Sequence, residues 1–253
     1  MNDEFYIGWE DKAPAETGKL IRRVILLLFL MALVVPATLA IAQQMIGTSV
    51  FEWGNIKDFS GIFQAKPYPC LLVSRPGKVA DQLQFSTYYL VAQWKFGLPP
   101  AAVAQFDGQA VTLKGTLIYR GSQTMIETKS EWIHAKINHN APPPPVTVSL
   151  GIKTLVGEIV DSKCFLGVMN PGQLTPHRGC AVRCISGGIP PLLLVRQTDD
   201  SAAYYLLVSA DGRPVNQQVL NFVAEPMEIT GEVEKQGELQ ILRANPSTYR
   251  RLK

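Results

Sequence analysis

The hexapeptide IKDFSG at Ile56–Gly61 recurs in altered form as IKTLVG at Ile152–Gly157. Each copy begins a series of short runs of β-branched and aromatic residues, which are separated by Gly, Pro, Asn and Asp. Neither series contains a long stretch with the period of a helix. Such runs predict strands joined by turns. The recurrence predicts that the strands form two similar all-β domains.

Three further matches follow in the same order along both copies. The spacing from Tyr88 to Gly115 is 27 residues, and the spacing from Tyr204 to Gly231 is also 27 residues. The matched segments are Leu71–Val73 with Leu193–Val195, Tyr88–Val91 with Tyr204–Leu207, and Val111–Leu117 with Met227–Val233. Four ordered matches favour a duplicated fold over chance similarity.

The strand count and the glycines indicate which all-β fold is repeated. Each copy has about five predicted strands, and Gly115 and Gly231 lie in the middle of strands, where a small barrel must bend. We therefore predict two tandem OB-like barrels, with a β-sandwich as the alternative. The predicted domains cover residues 50–133 and 148–253. Residues 134–147 contain four consecutive prolines and are predicted to be an extended linker.

A long apolar segment precedes the two domains. Val24–Ala42 contains no charged residue and is long enough to cross a bilayer as a helix. We predict a single transmembrane helix at residues 24–46, after a tail of residues 1–23. Lys19, Arg22 and Arg23 precede the segment, so the positive-inside rule places the tail in the cytoplasm and both domains outside. For a bacterial chain this predicts an inner-membrane protein with periplasmic domains.

A cleaved signal peptide is the alternative interpretation of this segment. Pro36 interrupts the apolar run, and Ala40-Ile41-Ala42 resembles a cleavage site. The 23 residues before the run contain five acids, which is unusual for a signal peptide. Both interpretations export the two domains to a compartment in which disulfides form.

The second copy contains an insertion that the first copy lacks. Gly61 and Leu71 are 10 residues apart, whereas Gly157 and Leu193 are 36 residues apart. The extra residues, at 161–189, contain three of the four cysteines and one of the three histidines. The repeated fold does not need this loop, which suggests a functional site added to the scaffold.

The spacing within the insertion suggests a metal site. His177, Cys180 and Cys184 follow an i, i+3, i+7 pattern, so a helix would present all three on one face. Cys164, near the end of the preceding strand, could complete a Cys₃His set. Such a set suits zinc or an iron–sulfur cluster, and copper also binds thiolates and imidazole. We therefore predict Cys164, His177, Cys180 and Cys184 as metal ligands.

A disulfide is the alternative for the same cysteines. Cys164 bonded to Cys180 or Cys184 would staple the loop and contribute about 2–4 kcal/mol of stability. One of these thiols would then stay unpaired. The fourth cysteine, Cys70, aligns with the apolar Leu192 and is predicted to be an ordinary core residue.

Composition and motifs argue against several functional classes. The net charge is only +3, and Lys and Arg do not alternate with aromatic residues, so nucleic-acid binding is not predicted. Serine-hydrolase, phosphate-loop and dinucleotide-binding signatures are absent from the sequence. No pair of general acid and base can be identified. We predict no catalytic residues.

Two segments resemble known bacterial proteins. The residues Asp161–Cys164, His177–Cys184 and Gly188–Pro190 resemble a loop in membrane-anchored envelope proteins with OB-like domains. Phe5–Trp9 and Lys12–Pro14 resemble the cytoplasmic start of small anchored proteins that accompany respiratory or other redox enzymes. The resemblance implies a membrane-bound accessory or structural subunit of an envelope electron-transfer complex, with other subunits as partners. The alternative is a periplasmic thiol-active protein, either a disulfide reductant or a metal chaperone.

Overall fold

The computed structural model describes residues 14–44, 49–79, 82–136, 145–197 and 202–252. The chain divides into two compact units, Met1–Gly47 and Thr48–Lys253. Residues 1–13 of the predicted tail and residues 137–144 of the predicted linker lie outside the described residues.

The first unit contains one long helix, α1, at Ala15–Gln44. Residues Ala15–Ala42 have a mean hydropathy of 2.9 over their most apolar window, and none of that window is buried within the protein. Pro36 lies inside the helix. By length and composition α1 is a candidate membrane span, which confirms the predicted N-terminal helix.

The second unit contains two barrels, and the first of these follows the predicted repeat. Its strands close in the order β2-β3-β4-β6-β5, with β5 pairing again with β2 and β1 added beside β5. Only β4 and β6 are parallel among these pairs. The elements are β1 (Val50–Phe51), β2 (Lys57–Gln64), β3 (Cys70–Val79), β4 (Gln82–Val91), α2 (Pro100–Phe106), β5 (Ala110–Arg120) and β6 (Gln123–Ala135).

The second barrel has the same connectivity. Its strands close in the order β7-β8-β9-β11-β10, with β10 pairing with β7 and β12 added beside β10. The parallel pair is β9 with β11. The elements are β7 (Thr147–Asp161), α3 (Leu174–Ser186), β8 (Pro191–Arg196), β9 (Ala202–Val208), α4 (Asn216–Val219), β10 (Pro226–Gln236), β11 (Leu239–Arg243) and β12 (Arg250–Arg251).

Both barrels therefore have the OB-like arrangement. Five strands close on themselves, the third and fifth strands are parallel, and a helix joins the third strand to the fourth. The predicted all-β fold with two OB-like barrels is confirmed, and the closed sheets differ from the sandwich alternative.

The strand register confirms most of the predicted matches and corrects one. Gly61 pairs with Val111 as Gly157 pairs with Met227. Leu71 pairs with Tyr88, whereas Leu193 pairs with Tyr205. Tyr88 is thus equivalent to Tyr205, and the predicted match with Tyr204 was wrong by one residue. The equal 27-residue spacing was a coincidence of adjacent tyrosines.

Among the described residues of the second unit, three larger apolar cores stand beside a small fourth cluster that contains Cys70. One lies inside each barrel, around Phe63 in the first and around Ile159 in the second. The third core joins the barrels, because Tyr89 and Ile118 of the first barrel pack in one cluster with Leu206 of the second. Tyr68, from the short β2–β3 loop, accepts a hydrogen bond from the Val215 backbone N–H at 3.0 Å. Burial of this shared surface holds the two barrels in one compact unit.

The insertion leaves the second barrel between β7 and β8. Asp161 and Pro191 are paired at the end of this ladder, and the Ser162 N–H donates to the Pro190 oxygen at 3.1 Å. The two ends of the insertion are therefore adjacent, and the barrel closes without disturbance. A π-helix at Cys164–Val168 and the helix α3 follow within the loop.

Candidate metal centre

Helix α3 places the predicted ligands on one side. Leu174–Ser186 is helical, so His177, Cys180 and Cys184 lie on successive turns of the same face. Pro176 lies in the first turn, where its missing N–H is not needed. The helix ends at Ser186, before Gly187 and Gly188. His177 and Cys184 are buried, and Cys180 is partly exposed.

Cys164 approaches this face from the π-helix. Its Sγ lies 3.8 Å from Cys180 Sγ and 3.8 Å from Cys184 Sγ. The three sulfurs all lie within 4.8 Å of one another. Around a tetrahedral zinc ion with Zn–S bonds of about 2.3 Å, two ligand sulfurs would be about 3.8 Å apart. The sulfur triangle therefore has the dimensions of a three-thiolate site for one ion.

No disulfide is formed among these residues. All four cysteines are free, and all lie in described parts of the chain. A disulfide requires an S–S distance of about 2.05 Å, which is far shorter than the separations in the triangle. Cys70 lies in a separate apolar cluster of the first barrel, as predicted.

His177 makes a different contact from the one predicted for a simple Cys₃His set. Its Nε2 donates to Asp161 Oδ2 at 3.0 Å, and both side chains are buried. Asp161, His177 and Cys164 have ligand atoms within 4.8 Å of one another. Cys164 thus belongs to two sets of possible metal ligands. One set contains Cys180 and Cys184, and the other contains Asp161 and His177.

The Asp161 carboxylate, at the start of the insertion, accepts hydrogen bonds from two of the predicted ligand residues. Its Oδ1 accepts a hydrogen bond from the Cys164 backbone N–H at 2.8 Å, while Oδ2 accepts from His177. The last residue of β7 therefore fixes both Cys164 and His177. A histidine oriented by a carboxylate is typical of metal sites, and it leaves Nδ1 as the ring nitrogen that could bind an ion.

A lysine that the sequence analysis did not identify also reaches the sulfurs. Lys95 Nζ donates to Cys180 Sγ at 2.7 Å and lies 3.8 Å from Cys184 Sγ. Lys95 belongs to the turn after β4 in the first barrel, 85 residues before Cys180. No spacing in the sequence connects these residues. The only local signal is a lysine between two aromatic residues, Trp94 and Phe96.

The turn that contains Lys95 packs closely against the end of α3. A Cβ atom at Gly187 would lie 2.0 Å from the Lys95 carbonyl oxygen, so only glycine fits there. The Gly97 N–H donates to the Gly187 oxygen at 2.9 Å. The two barrels therefore meet at the candidate site.

The surroundings of Cys164, Cys184 and Cys70 shift the pKa values of their thiols in different directions. The hydrogen bond from the Cys164 thiol lowers the pKa of Cys184, and Lys95 acts in the same direction. The same hydrogen bond is the largest cause of a raised pKa of Cys164, and burial of the Cys164 thiol is the second largest. Burial raises the pKa of Cys70 to about 12. The pKa of Cys184 is thus shifted in the direction of the thiolate, the form that binds metals, whereas the pKa of Cys70 is shifted away from it.

Comparisons with known proteins add little to this description. No model of a protein family matches the chain, and no curated protein is similar to it. Among solved structures, a deletion mutant of the single-stranded DNA-binding protein from Thermus aquaticus is 11% identical, with 82% of this chain and 89% of that chain covered. The TM-score is 0.22, which supports no inference about function. The OB-like description rests on the strand order of the two barrels.

Proposed function

We propose that the chain binds one thiophilic metal ion through Cys164, Cys180 and Cys184, as an accessory subunit of a redox complex. The sulfur triangle carries this proposal, because Cys164 Sγ lies 3.8 Å from each of the other two sulfurs, which matches the ligand spacing around a single ion. Thiolates select zinc, copper(I) or iron among biological metals.

The geometry favours one ion over a four-iron cluster. In a four-iron cluster each cysteine binds its own iron, so the ligand sulfurs are separated by the width of the cluster. The Sγ atoms of Cys164, Cys180 and Cys184 instead all lie within 4.8 Å of one another. His177, oriented by Asp161 beside Cys164, supplies the candidate fourth ligand.

The proposed cellular context rests on α1 and on the resemblance of the insertion to loops of envelope proteins. The basic residues Lys19, Arg22 and Arg23 favour an N-terminus in the cytoplasm and barrels in the periplasm. A reporter that is active only outside the cytoplasm, fused after Lys253, should then give a signal. A protein whose N-terminus begins at Gln43 after purification would contradict the membrane anchor.

The metal proposal is tested by elemental analysis of the purified full-length protein. We expect close to one metal ion per chain in the wild type and in Cys70→Ser, and almost none in Cys180→Ser or Cys184→Ser. His177→Ala tests whether the histidine is a direct ligand or only a neighbour of the ligands. Loss of a direct ligand should remove the metal, whereas loss of a neighbouring residue should only lower the affinity for the metal. A wild type without metal after reconstitution with zinc and with copper(I) would refute the proposal.

A thiol-active protein is the second candidate, and one observation favours it. Cys180 is partly exposed, and the Lys95 ammonium lies 2.7 Å from its sulfur. Reactive cysteines typically occur in partly exposed, electropositive surroundings of this kind. Such a protein would reduce a substrate disulfide to two thiols by thiol–disulfide exchange, forming a disulfide of Cys180 with Cys164 or Cys184, which an external dithiol would reduce again. A reversible redox midpoint of the metal-free protein, abolished by Cys180→Ser, would support this candidate over a permanently metallated site.

A further inference from the structure

We propose that Lys95 of the first barrel is a hydrogen-bond donor to the metal-bound Cys180 and slows release of the ion, and that the buried Lys163–Glu127 pair positions it. This inference rests on the proposed function and assigns to the first barrel a role in the site of the second.

Three thiolates around one divalent ion leave one negative charge in excess. Cys164 and Cys184 are buried, so solvent compensates this charge poorly. The Lys95 ammonium lies against Cys180, which is the most exposed of the three cysteines. A charge-assisted hydrogen bond there would neutralise the site and cover the ligand that solvent and chelators reach first.

A hydrogen bond to a bound thiolate also affects how readily the ion leaves. Protonation of a thiolate ligand, or its attack by another reagent, is an early step in metal loss. A donated N–H makes the sulfur a weaker base, so Cys180 should remain bound longer when Lys95 is present. Partners of ligand atoms typically change metal affinity by about 10–100-fold.

A buried ion pair holds the turn that contains Lys95. Lys163 Nζ lies 2.5 Å from Glu127 Oε2, and the two side chains are only 3% and 9% exposed. The same Nζ donates to the backbone oxygens of Ala92 at 2.8 Å and Trp94 at 2.6 Å. Lys163 immediately precedes Cys164, so one residue of the insertion fixes the turn of the first barrel beside the sulfurs.

The backbone of this turn is in an unusual conformation. Trp94 has φ of 62°, a value that non-glycine residues seldom adopt, and its side chain is 79% exposed. Packing of the side chain therefore does not explain the conformation. The hydrogen bond from Lys163 to the Trp94 oxygen does, and strain held in this way is typical of functional sites.

The second barrel offers an internal comparison. The turn after β9 is bounded by a bridge between Val208 and Pro214, as the turn after β4 is bounded by a bridge between Val91 and Gly97. Gly212 occupies the position equivalent to Lys95. The lysine is therefore not a requirement of the turn itself.

The test measures transfer of zinc from the loaded full-length protein to a coloured chelator. We expect Lys95→Met to release zinc about 10-fold faster than the wild type, at unchanged initial stoichiometry. Lys95→Arg should be slower than Lys95→Met, because it retains a cationic donor. Lys153→Met removes a charge from an exposed position on β7 and should match the wild type.

Substitution of cobalt(II) for zinc distinguishes loss of the Lys95 hydrogen bond from a general loss of order at the metal site. Without the donor, Cys180 becomes a better electron donor, so the sulfur-to-cobalt charge-transfer band of Lys95→Met should move to lower energy at similar intensity. An unchanged band together with a wild-type release rate would overturn the role of Lys95.

The positioning role of Lys163 is tested with Lys163→Met combined with Glu127→Gln, which avoids an unpaired buried charge. This double variant should release zinc faster than the wild type, and adding Lys95→Met should give no further acceleration. Additive effects would overturn the positioning role. If Cys180→Ser loses zinc but Lys95→Met behaves as wild type, this inference alone fails, whereas a wild type that binds no metal refutes the proposed function.

Discussion

The two barrels share their connectivity but differ in the loop between their first and second strands. In the first barrel this loop runs from Gln64 to Cys70, and in the second it runs from Asp161 to Pro191. The shorter loop inserts Tyr68 between the barrels, while the longer loop carries the thiols. The comparison shows that five closed strands do not require the insertion, so its chemistry was added to a complete scaffold.

The comparison also shows that the first barrel is more than a duplicate. It supplies Lys95 to the sulfurs, Glu127 to Lys163, and Arg120, whose guanidinium lies 4.3 Å from the centre of the Phe165 ring. Each of these contacts involves a residue of the insertion. The inserted loop is therefore covalently part of the second barrel, and its side chains are held in place by contacts with the first barrel.

The largest effect is expected from exchanging the loops. Replacing residues 162–190 with residues 65–69 should abolish metal binding while the β-sheet circular dichroism of both barrels remains. The reason is that the insertion contains all three sulfurs, whereas the hydrogen-bonded pairing of β7 with β8 involves only residues outside 162–190. Elemental analysis and far-ultraviolet circular dichroism measure the two outcomes.

Because the exchange also removes Phe165 and Leu166 from the shared core, a variant of full length is the control. Changing Cys164, Cys180 and Cys184 together to Ser should remove the metal at nearly normal secondary structure. Metal retained by either variant would show that the chemistry lies outside the insertion.

Equivalent glycines should respond alike in the two barrels. A Cβ at Gly61 would lie 2.4 Å from the Leu72 oxygen, and a Cβ at Gly157 would lie 2.3 Å from the Leu194 oxygen. Because these neighbours are backbone atoms, each change to Ala should lower the free energy of unfolding by about 3 kcal/mol or more. Chemical denaturation measures the loss.

Gly179 is the matched control for these glycines. It lies within α3, and a Cβ there would have no neighbour within 4 Å. Gly179→Ala should therefore stabilise the protein by about 0.5–1 kcal/mol through higher helix propensity. A large difference between the free energies of unfolding lost in Gly61→Ala and in Gly157→Ala would contradict the equivalence of these positions in the two barrels.

A smaller effect is expected at Asp161, which has no counterpart of the same chemistry in the first barrel. Asp161→Asn keeps the size of the side chain but places an amide N–H₂ against either the Cys164 N–H or His177. We expect a loss of about 1.5–3 kcal/mol in the free energy of unfolding and about 10–100-fold weaker metal binding. Asp58→Asn, on β2, is an exposed control. Metal affinity equal to that of wild type would mean that Asp161 does not orient the ligands.

The smallest effect is expected at Cys70. Burial raises its pKa to about 12, so the thiol stays protonated near pH 8 and should not react with maleimide in the folded protein. In metal-free protein the partly exposed Cys180 should react first. Mass spectrometry of labelled peptides, before and after denaturation, distinguishes the two. Labelling of Cys70 in the folded protein would show that this strand of the first barrel opens.

The sequence by itself determined the features that depend on local pattern. The periodic runs and glycines identified two barrels, and the length of an uncharged segment identified α1 as a candidate span. The i, i+3, i+7 spacing of His177, Cys180 and Cys184 placed them on one helical face, because helical geometry relates neighbours in sequence. Comparison of the two copies located the insertion.

Only the tertiary structure decided which distant residues meet. The strand register corrected the tyrosine match by one residue, since adjacent tyrosines fit either alignment equally well. The contacts of Asp161 with His177, of Glu127 with Lys163 and of Lys95 with Cys180 join separate elements. These contacts arise from the packing of the barrels and the inserted loop against one another, and such long-range packing leaves no fixed spacing in a single sequence.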